Sequence, residues 1–144
     1  MRRSAFSRSD VQVSPDAGEG EEFPEKELTG KIIGCAIQVH RELGPGFLES
    51  IYENALGVEL IKQGLRFERQ KLVRVIYEGV EVGVHRCDFI VDNRVLVELK
   101  SAEMLLDKHV AQVISTMKAF DVHVGLLFNF DETRLMNGFR RFVL

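Results

Sequence analysis

The chain has no long apolar run, few cysteines and little net charge, and each shortage excludes something. No stretch approaches the roughly 18–20 consecutive apolar residues that a bilayer-spanning helix requires, so no membrane span is expected. Cys35 and Cys87 are the only two cysteines. Two thiols make no disulfide framework and, unless histidines complete the set, no structural zinc site; reduced thiols in a cytoplasm are the expectation. Arg2-Arg3 is not followed by an apolar stretch, so no secretory or twin-arginine signal is read. A net charge of −3 gives no general pull towards nucleic acid. No internal repeat is visible, and 144 residues suffice for one domain with a real core but not for two ordinary ones.

The charge is unevenly placed. Residues 1–26 hold four of the 19 basic and six of the 22 acidic residues, which leaves residues 27–144 near neutral with 15 and 16. A near-neutral domain is still compatible with a local basic groove. Residues 1–26 are rich in Ser, Gly, Glu and Asp, with scattered apolar residues. Such a composition cannot bury enough apolar surface to offset the entropy of ordering, so a disordered acidic tail is expected there.

The folded part is expected over 27–144. Leu28, Ile32, Cys35, Ala36, Val39 and Leu43 recur at helical spacing, which predicts an amphipathic helix over 28–43, stopped by Gly44-Pro45-Gly46. A second helix is expected from about Leu48 to Gln63, with Leu48, Ile51, Tyr52, Ala55 and Leu56 on one stripe and Gly64 as its C-cap. The period then changes to 2. Residues 67–77 read as a strand, Glu78-Gly79 as a tight turn and Val80–Val82 as its return. Residues 84–91 and 95–100 are two more strands around Asp92-Asn93-Arg94. A third helix over 105–120, a buried strand over 122–130 and a short strand over 139–144 complete a mixed sheet with helices on its faces, in the order ααβββαββ.

The residues that carry chemistry are Asp88 and the run Val97-Glu98-Leu99-Lys100. Glu98 and Lys100 are two apart on a strand and project from one face. Two carboxylates converging near a lysine suit a hard cation such as Mg²⁺, with Mn²⁺ an acceptable substitute. A cation so held lowers the pKa of a bound water and neutralises charge building on a phosphate. The lysine can hold or deprotonate the attacking water, or stabilise the transition state. The competing account is an ion pair on a solvated strand face. Against it, both acids lie in apolar stretches, where an unpartnered charge is costly.

The pattern Asp88, then Glu98-Leu99-Lys100, then Gln112 on the following helix, resembles the PD-(D/E)xK nuclease superfamily, and within it the bacterial GxxExxY protein family. The naming motif is Gly46-Phe47-Leu48-Glu49-Ser50-Ile51-Tyr52. Val39-His40 before Leu43-Gly44-Pro45-Gly46, Arg86 before Asp88, His109 before Gln112, and Gly125-Leu126-Leu127-Phe128-Asn129-Phe130 match as well. The likeness covers nearly all of 28–144. It departs at Cys87, where the family usually has Ala, and at Thr116-Met117-Lys118, where it often has Tyr-Leu-Lys.

The resemblance implies a restriction-endonuclease-like fold and metal-dependent hydrolysis of nucleic acid, DNA or RNA unresolved. By it, Asp88 and Glu98 bind metal, Lys100 is the catalytic lysine, and Glu49 is an additional acid from a helix. Glu49 also reads as a first-turn glutamate favoured by the helix dipole, with Glu53 one turn later as the substitute. Gln112 suits orientation of a water or a phosphate oxygen, or simply a polar helix surface. Tyr52 is expected in the core with its hydroxyl reaching a partner. His40, near the glycine turn, reads as structural or exposed, with lining the site as the alternative; His85 and His123 lack metal-ligand spacing to each other and are not expected to be ligands. Cys87 reads as a small core residue on the strand face opposite Asp88. Arg69, Lys71, Arg74 and Arg86 are candidates for phosphate contacts or a solvated face. The alternative is a binding or scaffold module that keeps the fold and acts through a protein partner. A domain this small with no added recognition element is open to homodimerisation or a partner.

The chemistry also constrains the turn at Asp92. A two-residue loop at Asp92-Asn93 pairs Val91 with Arg94 and turns Asp88 away from Glu98. A three-residue loop, Asp92-Asn93-Arg94, pairs Val91 with Val95 and sets Asp88 opposite Glu98. Only the second register builds a metal site, so it is the one expected.

Overall fold

A computed structural model describes residues 11–15 and 23–144. Helices α1 (Lys26–Leu43) and α2 (Glu49–Lys62) come first, after strand β1 (Gln12–Ser14). Five strands follow: β2 (Phe67–Arg69), β3 (Leu72–Tyr77), β4 (Val80–Arg86), β5 (Phe89–Val91) and β6 (Val95–Lys100). Helix α3 (Asp107–Phe120), β7 (Val124–Asn129), a 3-10 turn at Leu135–Gly138 and β8 (Phe139–Val143) close the chain. Six strands form one mixed sheet in the order β1-β8-β7-β6-β5-β2, in which β6 and β7 run parallel and the other pairs antiparallel. Among the described residues, no helix is long and apolar enough to cross a membrane.

The sheet divides the core into two layers, as period-2 strands facing two helical layers must. On one face, Phe89, Val91, Val95, Val97, Leu99, Leu126 and Phe128 pack against Ile32, Ala36 and Val39 of α1 and Leu56 and Leu60 of α2. On the other, Ile90, Leu96, Leu127 and Phe142 pack against Val113 and Met117 of α3. A Cβ on Gly125 would stand 2.6 Å from the Met117 sulfur, so the glycine lets α3 lie close on β7. These are the mixed sheet and flanking helices expected from the sequence.

Three features depart from the expectation. First, Gln12–Ser14 lies within the segment expected to lack structure, yet pairs with β8, Val13 opposite Phe142. Val11 beside it packs against the α3-side core, so one local apolar pair is enough to cover an otherwise open edge. Residues 1–10 and 16–22 of that segment lie outside the described residues. Second, 67–77 is not one strand. β2 ends at Arg69 and β3 starts at Leu72, because Gln70 adopts a left-handed backbone at φ 52°. Third, the 84–91 strand breaks at Cys87 and Asp88, directly across from Gln70.

The two breaks are one bend. The Gln70 N–H donates to the Asp88 carbonyl at 2.9 Å and the Cys87 N–H to the Lys71 carbonyl at 3.0 Å. Pairing therefore runs unslipped from Phe67↔Val91 through the bend to Leu72↔Arg86 and on to Val75↔Gly83, before a bulge. One end of this ribbon belongs to the main sheet. The other leaves it as the separate β3–β4 hairpin, closed by Glu78 (φ 49°) and Gly79 (φ 80°) as the two-residue turn expected. Asp88 sits at the corner.

Candidate active site

Asp88 reaches the site through register. Val91 pairs with Val95, Ile90 with Leu96 and Phe89 with Val97. The loop is thus the three-residue one, Asp92-Asn93-Arg94, with Asp92 and Asn93 at positive φ. Continued by one residue, the pairing sets Asp88 opposite Glu98, and Asp88 Oδ2 accepts the Leu99 N–H at 2.8 Å. Asp88, Glu98 and Lys100 then share one cavity of about 270 Å³ with Glu49, Gln112 and His109, walled by His85, Arg86, Val113 and Thr116. All five sequence candidates, Asp88, Glu98, Lys100, Glu49 and Gln112, meet there. Their elements are widely separated in sequence: the start of α2, the ribbon corner, β6 and α3.

The carboxylates are under electrostatic load. Burial pushes the Glu98 carboxyl up to about 10, and Asp88 adds to this by charge repulsion and hydrogen bonding. The backbone of Asp88 and the Lys100 ammonium pull in the lowering direction without offsetting that rise. Partial burial also raises Glu49, helped by Asp88 and Glu53 and opposed by Lys100. Three acids in one cavity, with Asp88 repelling both Glu98 and Glu49, are a donor set short of positive charge, the condition under which a hard cation is bound. Among the described residues, no three His, Cys, Asp or Glu side chains are already gathered to hold a metal alone. Mg²⁺ fits such a site all the same, since it typically takes one or two carboxylates and fills its shell with water and phosphate oxygens.

The Gly46–Tyr52 segment shows why its residues are spaced as they are. Gly44 (φ 66°) and Gly46 (φ 106°) hold backbone conformations that a side chain disfavours. They turn the chain from α1 into α2, whose first residue is Glu49. Tyr52, one turn on, is fully buried and stacks on Phe130 at 4.6 Å. Its hydroxyl donates to the Gly44 carbonyl at 2.5 Å and accepts the Phe47 N–H at 3.1 Å. Tyrosine thus ties down the loop that delivers Glu49. Tyr52→Phe should cost about 1–2 kcal/mol, the net worth of two hydrogen bonds. Urea unfolding of the variant measures it, and an unchanged midpoint would remove the tie from this account.

Asn129 does the same for the segment after Lys100. Its buried amide accepts the Ala102 N–H at 3.0 Å and donates to the Ala102 carbonyl at 2.9 Å. Phe130 N–H adds a bond to the Lys100 carbonyl at 2.8 Å.

Other candidates fall away from the cavity. Glu53 is held by Arg69 at 2.8 Å and by Gln70, so it is not the substitute for Glu49. His40 bonds the Glu132 carbonyl at 2.7 Å and is structural. His123 stands next to the Leu144 carbonyl. Lys71 and Arg74 pair with Glu68 and Glu81, leaving Arg86 as the one of the four suggested phosphate-contact residues on the cavity wall. Cys87 is core, with burial pushing its thiol up to about 12. It packs with Ile90 and Leu96 on the α3 side, not on the opposite face, because the bend breaks the alternation between it and Asp88.

Two histidines on the wall carry more information than the sequence revealed. Thr116 donates its hydroxyl proton to the Gln112 carbonyl at 2.7 Å. It must therefore accept from His85 Nε2 at 2.7 Å, which fixes the His85 tautomer. His109 Nδ1 accepts the Leu106 N–H at 2.9 Å, and burial, with Lys100 and Lys108, lowers its pKa. A neutral His109 with Nδ1 engaged carries its proton on Nε2 and is a hydrogen-bond donor. Helical spacing placed His109 beside Gln112; only the packing of Val113 and Met117 decides that this face meets the cavity.

A corner aspartate, a Glu-x-Lys strand and a covering helix, on a mixed sheet, make up the arrangement of a nuclease of the restriction-endonuclease-like class. The sequence profile of the PD-(D/E)XK nuclease superfamily matches residues 26–142, and the chain belongs to that superfamily. No curated protein and no solved structure gives a significant match.

Proposed function

We propose that residues 27–144 carry a metal-dependent nuclease that hydrolyses phosphodiester bonds of nucleic acid at the Asp88–Glu98–Lys100 cavity. The observation that carries this reading is the convergence of three acids and a lysine from three separate parts of the chain, the start of α2, the ribbon corner and β6, on one cavity, with the buried Glu98 carboxyl raised to about 10. A solvated ion pair would not be walled in, and a retired site has no need of three repelling acids. Within the superfamily, the chain suits the GxxExxY group: Gly46 makes the turn, Glu49 reaches the cavity and Tyr52 ties the loop.

Asp88 and Glu98 would hold Mg²⁺ or Mn²⁺, with Glu49 as the additional acid beside them, and the ion would supply charge neutralisation at the phosphate and activation of water. Lys100 would place the attacking water and stabilise charge on the phosphate oxygens. Gln112 would orient that water or a phosphate oxygen through its amide, and the His109 Nε2–H adds a neutral donor on the same helix face. Arg86 would take a flanking phosphate. Such a nuclease acts in the compartment where nucleic acid and reduced thiols coexist, the cytoplasm.

Calorimetric titration with Mn²⁺ separates this enzyme from a scaffold module of the same fold. The proposal expects saturable binding that weakens as pH falls, because the carboxylates must lose protons to bind. A protein that takes up no Mn²⁺ at pH 8 would move the reading to the scaffold.

A further inference from the structure

Gln112 and His109 reach the cavity from α3, a helix whose hold on the sheet is apolar. Val113 and Met117 press it against Ile90, Leu96 and Leu127, and Met117 lies over Gly125. Such contacts are non-directional, and a methionine side chain is an adaptable one. They bring the helix down onto β7 without fixing its rotation about its own axis. That rotation decides where the Gln112 amide and the His109 ring stand relative to the acids.

One directional contact fixes it. Thr116 is 2% exposed and lies one turn after Gln112. Its β-branched side chain is stiff, and its hydroxyl donates to the Gln112 carbonyl at 2.7 Å. The hydroxyl oxygen then accepts the His85 Nε2–H at 2.7 Å. His85 stands on β4, opposite Val73 of β3. It belongs to the hairpin that leaves the sheet, not to the surface on which α3 rests. Among the described residues, this is the one hydrogen bond that joins the hairpin to α3. The helix is thus held by apolar packing on the sheet side and by His85 on the hairpin side. The acids do not depend on this clamp. Asp88 is held by the Leu99 N–H and by the β5–β6 register.

Resting on the nuclease reading above, we infer that His85 and Thr116 are positioning residues that turn the Gln112 and His109 face of α3 onto the scissile phosphate. His85 acts through Thr116, and Thr116 through the turn of helix that carries Gln112. Two substitutions at one position test this. Thr116→Val keeps the shape and removes the oxygen, whereas Thr116→Ser keeps the oxygen. The measurements are single-turnover cleavage of labelled single- and double-stranded DNA and RNA in Mg²⁺, and Mn²⁺ calorimetry. Thr116→Val should cleave about 10–100-fold more slowly at saturating substrate, the cost of misplacing a supported group. Its Mn²⁺ affinity and half-saturating substrate concentration should stay within about 3-fold of wild type, because the contact matters in the chemical step alone. Thr116→Ser should recover most of the rate. His85→Ala should match Thr116→Val, and the double variant should be no slower than either, because the two residues act as a unit. A bond that merely stabilises the fold would lower the urea midpoint of Thr116→Val and leave its rate alone. That outcome, losses that multiply in the double variant, or a Thr116→Val protein that no longer takes up Mn²⁺ overturns this inference and leaves the nuclease reading standing. A wild type that cleaves none of the substrates in Mg²⁺ overturns both.

Discussion

Replacing Lys100 by alanine is expected to leave metal binding intact while cleavage falls by about 10²–10³-fold, the range typical for one preorganised electrostatic contact to a transition state, about 2.7–4 kcal/mol. Lys100 lies two residues beyond Glu98 on β6, in the same cavity. Its ammonium lowers the pKa of both Glu98 and Glu49, so it competes with a cation for the same charge. Removing it should hold Mn²⁺ affinity constant or raise it. Asp88→Asn should act in the opposite sense. It keeps the side-chain volume and an oxygen for the Leu99 N–H bond, yet removes a ligand charge, so metal binding and cleavage should fall together. If these residues formed only a surface ion pair, either change would cost at most about 1 kcal/mol of stability and leave metal affinity untouched. Calorimetry with Mn²⁺ alongside single-turnover cleavage reads both quantities for each variant. Undiminished cleavage by Lys100→Ala would end its assignment as the catalytic lysine.

Glu98→Gln should make the metal-free protein more stable at alkaline pH while abolishing activity. The sign follows from proton binding. An unfolded glutamate ionises near 4.5, whereas the buried Glu98 carboxyl holds its proton up to about 10. Between those two values the folded chain binds a proton that the unfolded chain has lost, so wild-type stability decreases as pH rises through that window. Glutamine has no proton to lose and should flatten this dependence. At pH 8 the gain should be on the order of 2–4 kcal/mol, since each pKa unit is worth about 1.4 kcal/mol. Saturating Mg²⁺ should stabilise the wild type and not the variant, because a ligand that binds only the folded state raises its stability. Urea denaturation at pH 6 and pH 8.5, with EDTA and with Mg²⁺, measures all four cases. A variant less stable than wild type at pH 8.5 in EDTA would mean that Glu98 is ionised and well partnered without metal.

What was legible in the sequence was whatever a local period or a chemical requirement could fix. The apolar stripes of α1 and α2 gave their extents to within about two residues. The demand that Asp88 face Glu98 decided the Asp92–Arg94 loop, where turn preference alone favoured the shorter one. The bend at Gln70 had no such signature, because a left-handed glutamine is set by the tertiary path of the ribbon and not by its own preference. That one bend broke two expected strands and put Cys87 on the wrong face in the sequence reading. Glu49 was preferred to Glu53 by the resemblance, but the packing that separates them was hidden, since it rests on Arg69 and Gln70, more than a dozen residues away, engaging Glu53. Val11 and Val13 were too few to predict a strand; the open edge of β8 is what recruits them.

The most direct measurement is the single-turnover rate of cleavage of end-labelled single- and double-stranded DNA and RNA by the purified wild type and by Asp88→Asn, across a Mg²⁺ titration and in EDTA. The account predicts a wild-type rate that rises to saturation with Mg²⁺ and vanishes in EDTA, and no product from Asp88→Asn at any Mg²⁺ concentration. Equal cleavage by the two proteins, or wild-type cleavage that persists in EDTA, would contradict it.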